Sequence, residues 1–292
     1  MAATSAIPGY HGRYLRVDLS SGAASLVPIP PGVLREFLGG SGLGTWLLLH
    51  SDQAACDALE PAAPLVFALS PLVGSPLTTS AKFAVVSKSP LTGRINDSLA
   101  SSGFAIAAKK CGCDAIVLAG KAPERTIVLI DDGAVRLEPA GRHWGMSCSA
   151  AQQSLQEVYG ADYQSAVIGP AGENQVHFAT ISHAGRHAGR GGSGAVLGAK
   201  NVKAILVRGT QRCRGAEPDT LVQLARDLSI VRYRRRDFLA DRLPVSLPEP
   251  VGGHAGRTLA DPELLARLTK TRRIGVATHE LDQCPVTVGL PV

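Results

Sequence analysis

The run Gly185-Arg186-His187-Ala188-Gly189-Arg190-Gly191-Gly192-Ser193-Gly194 holds the densest set of residues able to do chemistry in this chain. A glycine-rich turn that opens a helix presents several backbone N–H groups to an anion. Arg186 and Arg190 add planar cationic donors suited to phosphate. The same spacing also describes a simple turn and helix start with solvated arginines. The run matches neither the G-x-x-x-x-G-K-[ST] nor the G-x-G-x-x-G pattern, so the ordinary nucleotide fingerprints are absent.

Other segments carry weaker signals. Lys82 begins a strand and is placed to reach an anion lying over a sheet, or to sit solvated at its edge. Lys88-Ser89-Pro90-Leu91-Thr92-Gly93 reads as a rigid turn after that strand, and Ile168-Gly169-Pro170-Ala171-Gly172-Glu173-Asn174 as a strand running into a Pro/Gly turn. His11, His143 and His177 stand alone, and no Ser/His/Asp order or metal-ligand spacing emerges. Six cysteines include no C-x-x-C pair, which reads as a reduced, cytoplasmic protein with mostly buried thiols. No signal peptide or membrane span is expected. The net charge of +6 is modest and no basic block is interleaved with aromatics, so nucleic acid is not an expected partner; Arg232 to Arg236 read as a solvated charge run.

The elements that must position these residues follow from the hydrophobic pattern. Arg13–Leu19 and Ala24–Ile29 flank Ser20-Ser21-Gly22 as one hairpin; Thr126–Ile130 and Ala134–Leu137 flank Asp131-Asp132-Gly133 as another. Strands are predicted at Leu65–Leu69, Phe83–Ser87, Ala115–Leu118, Gln164–Ile168, His177–Ile181 and Ala204–Val207. Helices are predicted at Gly32–Leu38, Thr45–His50, Phe104–Lys110 and Ser149–Tyr159. This mixture is α+β. The strand pattern fades after Gly209, where Leu221–Leu228 and Pro262–Leu268 read as helices around a Pro/Gly-rich stretch, Pro244 to Gly256. Two regions are therefore expected, 1–209 and 210–292. No internal repeat stands out.

Five blocks in order resemble one family: Gly12-Arg13-Tyr14-Leu15-Arg16-Val17-Asp18-Leu19, Phe37-Leu38-Gly39-Gly40-Ser41-Gly42-Leu43-Gly44, Val86 to Gly93, Ile168 to Asn174, and Ala188 to Ile205. They are similar to the amino-terminal domain of the aldehyde:ferredoxin oxidoreductases. The resemblance implies two antiparallel β-sheets related by a pseudo-two-fold with flanking helices. Across them would lie tungsten (or molybdenum) held by two molybdopterins whose phosphates share a magnesium ion. It implies cofactor contacts at Lys82, Leu99, Ser101, Arg186, His187, Gly189, Arg190, Gly191 and Gly192, with magnesium taken by backbone at Leu99 and His187. Lys82 replaces a family arginine. Asp97-Ser98-Leu99-Ala100-Ser101-Ser102 stands where the family has D-S-x-S-G-G, with leucine where asparagine is common.

The resemblance also implies oxidation of an aldehyde to a carboxylate, with ferredoxin or an iron–sulfur subunit as electron acceptor. Family members run to about twice this length, and their helical domains carry a [4Fe–4S] cluster and the substrate channel. Cys284-Pro285-Val286 aligns with part of the cluster motif, with Leu281 and Val288 at cysteine positions. One thiolate does not hold a cubane, so this polypeptide by itself is expected to lack the relay, with a separate chain as a source of the missing domains. The alternative expectation is a non-catalytic protein that binds the pterin cofactor, or a decayed paralogue.

Overall fold

The computed structural model describes residues 7–228, except 52 and 54, together with the backbone of 277–281 and 284–288. The chain divides into two units, Met1–Arg226 and Asp227–Val292. The first is α+β and carries two six-stranded sheets.

Sheet A is built from β1 (Arg13–Asp18), β2 (Ala24–Pro28), β3 (Leu65–Leu69), β4 (Lys82–Lys88), β5 (Ile95–Ser101) and β6 (Ala115–Ala119), in the order β2-β1-β6-β3-β4-β5. Sheet B takes β7 (Thr126–Asp131), β8 (Ala134–Pro139), β9 (Gln164–Val167), β10 (Ile181–His183), β11 (Arg186–Ala188) and β12 (Val202–Arg208), in the order β11-β10-β9-β12-β7-β8. The helices are α1 (Pro31–Phe37), α2 (Gly40–Leu49), α3 (Gly103–Lys110), α4 (Cys148–Tyr159), α5 (Pro170–Glu173) and α6 (Ser193–Ala199). Read from its hairpin inwards, each sheet has the same order: first hairpin, sixth strand, third, fourth, fifth. In each half the last strand returns beside the first after a helix, α3 or α6.

The pseudo-two-fold is thus a repeat of one six-stranded unit, which the sequence did not display. The sheets are mixed rather than wholly antiparallel: β1 pairs with β6, and β7 with β12, in parallel. A strand that returns beside the first after a long excursion can run in the same direction, since no tight hairpin constrains it.

One apolar cluster lies between the sheets and draws on both, including Leu15, Val17, Phe67 and Val85 from sheet A and Val128, Ile130, Ile205 and Val207 from sheet B. A second packs α1 and α2 on the outer face of sheet A through Leu34, Leu43 and Leu47. A third packs α4 on sheet B through Leu155. Aromatics are few, but Phe67, Phe83 and Phe104 gather at the inner core, with ring centroids 5.1–6.4 Å apart.

Several local expectations shift. The strand expected at His177–Ile181 begins only at Ile181, after a turn. The Pro/Gly turn after β9 winds into α5, and α2 starts at Gly40 rather than Thr45. A helix runs over 218–228. Pro244 to Gly256, Arg232 to Arg236 and Pro262–Leu268 lie outside the described residues. In the second unit, β13 (Ala277–Leu281) and β14 (Cys284–Val288) form a hairpin, with Cys284 opposite Leu281. Among the described residues no helix is long and apolar enough to cross a membrane.

Candidate functional site

The open edge strand of sheet A, β5, meets the open edge strand of sheet B, β11, and their side chains join the two repeats. Along β5 the residues alternate, so Asn96 and Ser98 project to the same face. Asn96 Nδ2 donates to the carbonyl of Arg190 at 3.0 Å, and the Arg190 N–H donates to Ser98 Oγ at 3.0 Å. Both backbone groups of residue 190 are thereby gripped from across the seam. Asp97 and Leu99 point the other way and are exposed.

A cleft of about 540 Å³ opens at this seam, lined by Asp97, Ser98, Leu99, His187, Gly189 and Arg190. Asp97 Oδ2 accepts from Ser41 Oγ, at the start of α2, at 2.5 Å. His187 Nδ1 is 2.9 Å from Ser182 Oγ, which fixes its ring. The side chains of Arg186 and Arg190 are exposed, and among the described residues neither has a carboxylate partner.

Of the residues singled out in the sequence, Leu99, His187, Gly189 and Arg190 share this cleft. Lys82 and Ser101 face each other in the β4–β5 register, two positions along from Ala84 and Leu99, outside its lining. Arg186 follows the turn of the β10–β11 hairpin. Gly191 and Gly192 have no room for a side chain. A Cβ on Gly191 would strike the Asn96 side chain, and one on Gly192, whose φ is +79°, would strike the His177 carbonyl. Gly189 has the free space: its nearest neighbours would be Thr180 Cγ2 at 3.7 Å and His187 Cβ at 3.8 Å. The Cys284 side chain lies outside the described residues.

Asn96, Asp97, Ser98, Ser182 and His183 complete the seam and were not singled out as contacts. For Asn96, Asp97 and Ser98 the signal was the alternation along Ile95–Ser101, disguised because its exposed face carries Ile95 and Leu99 while its buried face carries Ser98. Lysines in the quoted blocks act as internal anchors. Lys88 donates to the Cys56 carbonyl at 2.9 Å, and fully buried Lys200 to the carbonyls of Pro61 and Gly120 at 2.9 and 3.1 Å. Lys203 pairs with Glu173 and donates to the Met146 carbonyl at 2.8 Å.

His183, the last residue of β10, is fully buried. Burial pushes its imidazole down to about 4, with His187 and Arg186 acting in the same direction. An unfolded histidine titrates near 6.5, so as pH falls the unfolded chain takes up this proton first. This group's contribution to stability is therefore complete above about pH 6.5 and declines between about 6.5 and 4. Urea unfolding across that window is expected to show a shallower decline for His183→Asn than for the wild type. Equal slopes would show that this histidine does not carry the effect.

No group of three or more His, Cys, Asp or Glu side chains converges among the described residues.

A sequence model of the aldehyde ferredoxin oxidoreductase N-terminal domain matches residues 14–209. The tungsten-containing aldehyde ferredoxin oxidoreductase of Pyrococcus horikoshii is 38% identical over 240 residues, covering 81% of this chain and 39% of that protein. Its counterpart in Pyrococcus abyssi is 39% identical over 223 residues, 75% of this chain and 36% of that protein. The WOR-like subunit of an aliphatic sulfonate oxidoreductase from Pyrococcus furiosus is 32% identical over 218 residues, 69% of this chain and 35% of that protein. Among solved structures, the active-site complex BamBC of benzoyl coenzyme A reductase, in complex with 1,5-dienoyl-CoA, superposes with a TM-score of 0.76 at 26% identity. That match covers 97% of this chain and 48% of the other. The chain thus spans under two-fifths of the length of these curated relatives. On the family match over 14–209 and the identities to its members, the chain belongs to the aldehyde ferredoxin oxidoreductase family through that family's N-terminal domain.

Proposed function

We propose that this chain is the cofactor-binding part of a tungsten- (or molybdenum-) bis-pterin aldehyde oxidoreductase of the cytoplasm, which converts aldehyde to carboxylate and passes electrons to ferredoxin. The observation that carries the reading is the cleft at the β5–β11 seam, beside two exposed arginines without carboxylate partners among the described residues. Uncommitted guanidinium groups next to a concave, amide-bearing edge suit a phosphorylated ligand. In this reading the metal is carried by the dithiolene sulfurs of the pterins. When bound, that group supplies the redox centre that accepts the aldehyde's electrons.

The chain's own residues bind and orient. Arg186 and Arg190 neutralise phosphate charge, and Lys82 adds a third cation on the sheet A side. Asn96 and Ser98 hold the residue 190 backbone so that its side chain is presented to the cleft. Leu99 and His187 line the cleft from opposite edges, and their backbone carbonyls are the proposed magnesium ligands. Ser101, Gly189, Gly191 and Gly192 complete the proposed contact set, Gly189 because its open space admits a close ligand. The [4Fe–4S] relay and substrate channel are assigned to other sequence of the enzyme or to a separate iron–sulfur chain, with Cys284 the one cluster thiolate offered here.

The test is metal and pterin analysis of the protein from a pterin-making host supplied with tungstate. Wild type is expected to carry both. Arg190→Gln keeps the size and polarity of the loop and is expected to reduce retained pterin by roughly tenfold or more, because charge-assisted hydrogen bonds to phosphate are lost. Circular dichroism should be unchanged. Wild-type protein free of pterin would defeat the reading.

A further inference from the structure

The β10–β11 hairpin, which carries Arg186 and His187, is poorly secured by its backbone. Its own ladder has three residue pairs, Ile181↔Ala188, Ser182↔His187 and His183↔Arg186. Its register with β9 is the single pair Ser182↔Val167. A two-stranded hairpin of this length is marginal by itself, so side chains must fix where it stands. Ile181 and Ala188 enter the inner core, which holds the hairpin's base. The Ser182–His187 contact lies within the hairpin and ties it to nothing else.

The tip is tied by His183, the last residue before the turn at Ala184 and Gly185. Its Nδ1 is 2.8 Å from Ser102 Oγ. Ser102 caps α3, with its Oγ accepting from the Phe104 N–H at 3.2 Å, and it directly follows the end of β5. The imidazole packs edge-on against Phe83 of β4, centroids 4.9 Å apart, and its Nε2 is buried with no partner among the described atoms. The charged and titratable groups facing it are Arg186 and His187 of its own hairpin; β4 offers an aromatic ring and α3 a hydroxyl. A neutral ring suits this position, since a fixed cation there would repel Arg186.

We propose that His183 is a positioning residue. Through Ser102 it fixes the β10–β11 hairpin to the end of the opposite edge strand, and so sets where Arg186 and His187 stand relative to Leu99 and Ser101. That this spacing serves a phosphorylated cofactor rests on the function proposed above; the tie itself does not.

Amide hydrogen exchange of the full chain tests the tie. Peptides covering 181–190 report the hairpin, and peptides from β7 and β12 serve as the internal reference. In His183→Leu, hairpin exchange is expected to speed up by about tenfold with the reference unchanged, as follows from losing one buried hydrogen bond. His183→Asn, whose side-chain amide can occupy the Nδ1 position, should restore most of the protection. Ser102→Ala, which keeps the histidine and removes its partner, should loosen the hairpin as His183→Leu does, and serves in its place if the leucine variant does not fold. Wild-type protection in both His183→Leu and Ser102→Ala would overturn the proposal, as would an asparagine variant as loose as the leucine one. Pterin content of the same preparations should fall with the loosened variants; full retention in a loosened variant would overturn the part of the proposal that concerns cofactor placement and leave the tie standing. Wild type without pterin, but with the exchange pattern described, would sink the cofactor reading and leave the tie standing.

Discussion

Lys203→Met is expected to lower the unfolding free energy by about 3–5 kcal/mol, the usual result of stranding one member of a buried ion pair. The side chains of Lys203 and Glu173 are 0% and 4% exposed. Glu173 also accepts from the Gly145 N–H, at 3.0 and 2.9 Å to its two oxygens, so this one carboxylate joins α5, the turn at 145–146 and β12. Removing the ammonium leaves a carboxylate that water reaches poorly. The double variant Lys203→Met/Glu173→Leu should recover much of the loss, because no charge then remains buried. Urea denaturation of both variants measures this. A single-variant loss below about 1 kcal/mol would show that the pair behaves like a surface ion pair.

Gly198→Ala is expected to lower stability by about 3 kcal/mol or to prevent folding, at the upper end of overpacking effects. A Cβ on Gly198 would fall far inside van der Waals contact distance of the Gly172 carbonyl, and one on Gly172 would meet Ile168 and the Gly194 carbonyl. Helices α5 and α6 thus pack backbone against backbone, with no flexible side chain able to give way. Gly189→Ala is the control, since its added methyl would meet nothing closer than 3.7 Å; its stability should stay within about 0.5 kcal/mol of wild type. Thermal melts of the two variants should therefore differ widely. Equal melting temperatures would contradict the packing described. The contrast also divides the glycine-rich run by role: Gly192, Gly194 and Gly198 meet neighbouring backbone, whereas Gly189 borders the cleft.

Most of the frame was legible in the residues. Both hairpins, the buried runs of β3 and β4 and the amphipathic α4 follow from period and turn chemistry, and each is found near its expected span. The two edge strands that make the site were not. β5 reads Ile-Asn-Asp-Ser-Leu-Ala-Ser, rich in residues of low strand propensity. Its buried positions are small or polar because they serve the seam, with Ser98 turned toward Arg190. β11 is three residues long inside a run whose glycines dominate any local reading. Its strand character comes from pairing with β10 rather than from its own composition. The parallel pairs escaped notice for a related reason: β1 and β6 are joined only through the rest of the half, and no local pattern encodes which distant strand lies alongside. The family resemblance named expected contacts, but not that the Cα faces of Gly191 and Gly192 pack against protein.

The repeat has a thermodynamic corollary. Each half ends its sheet in an edge strand, and the cleft is lined from both halves where those two edges meet. A molecule seated there touches both halves at once, and separated or unfolded halves offer it no comparable surface. Its binding free energy is then added to the work of parting the sheets, and grows as RT ln(1 + [L]/Kd). At a hundredfold excess over Kd that amounts to about 2.7 kcal/mol, a substantial fraction of the stability of an ordinary domain. Loaded protein should therefore resist heat and proteolysis across both sheets together, with protection that rises with ligand concentration.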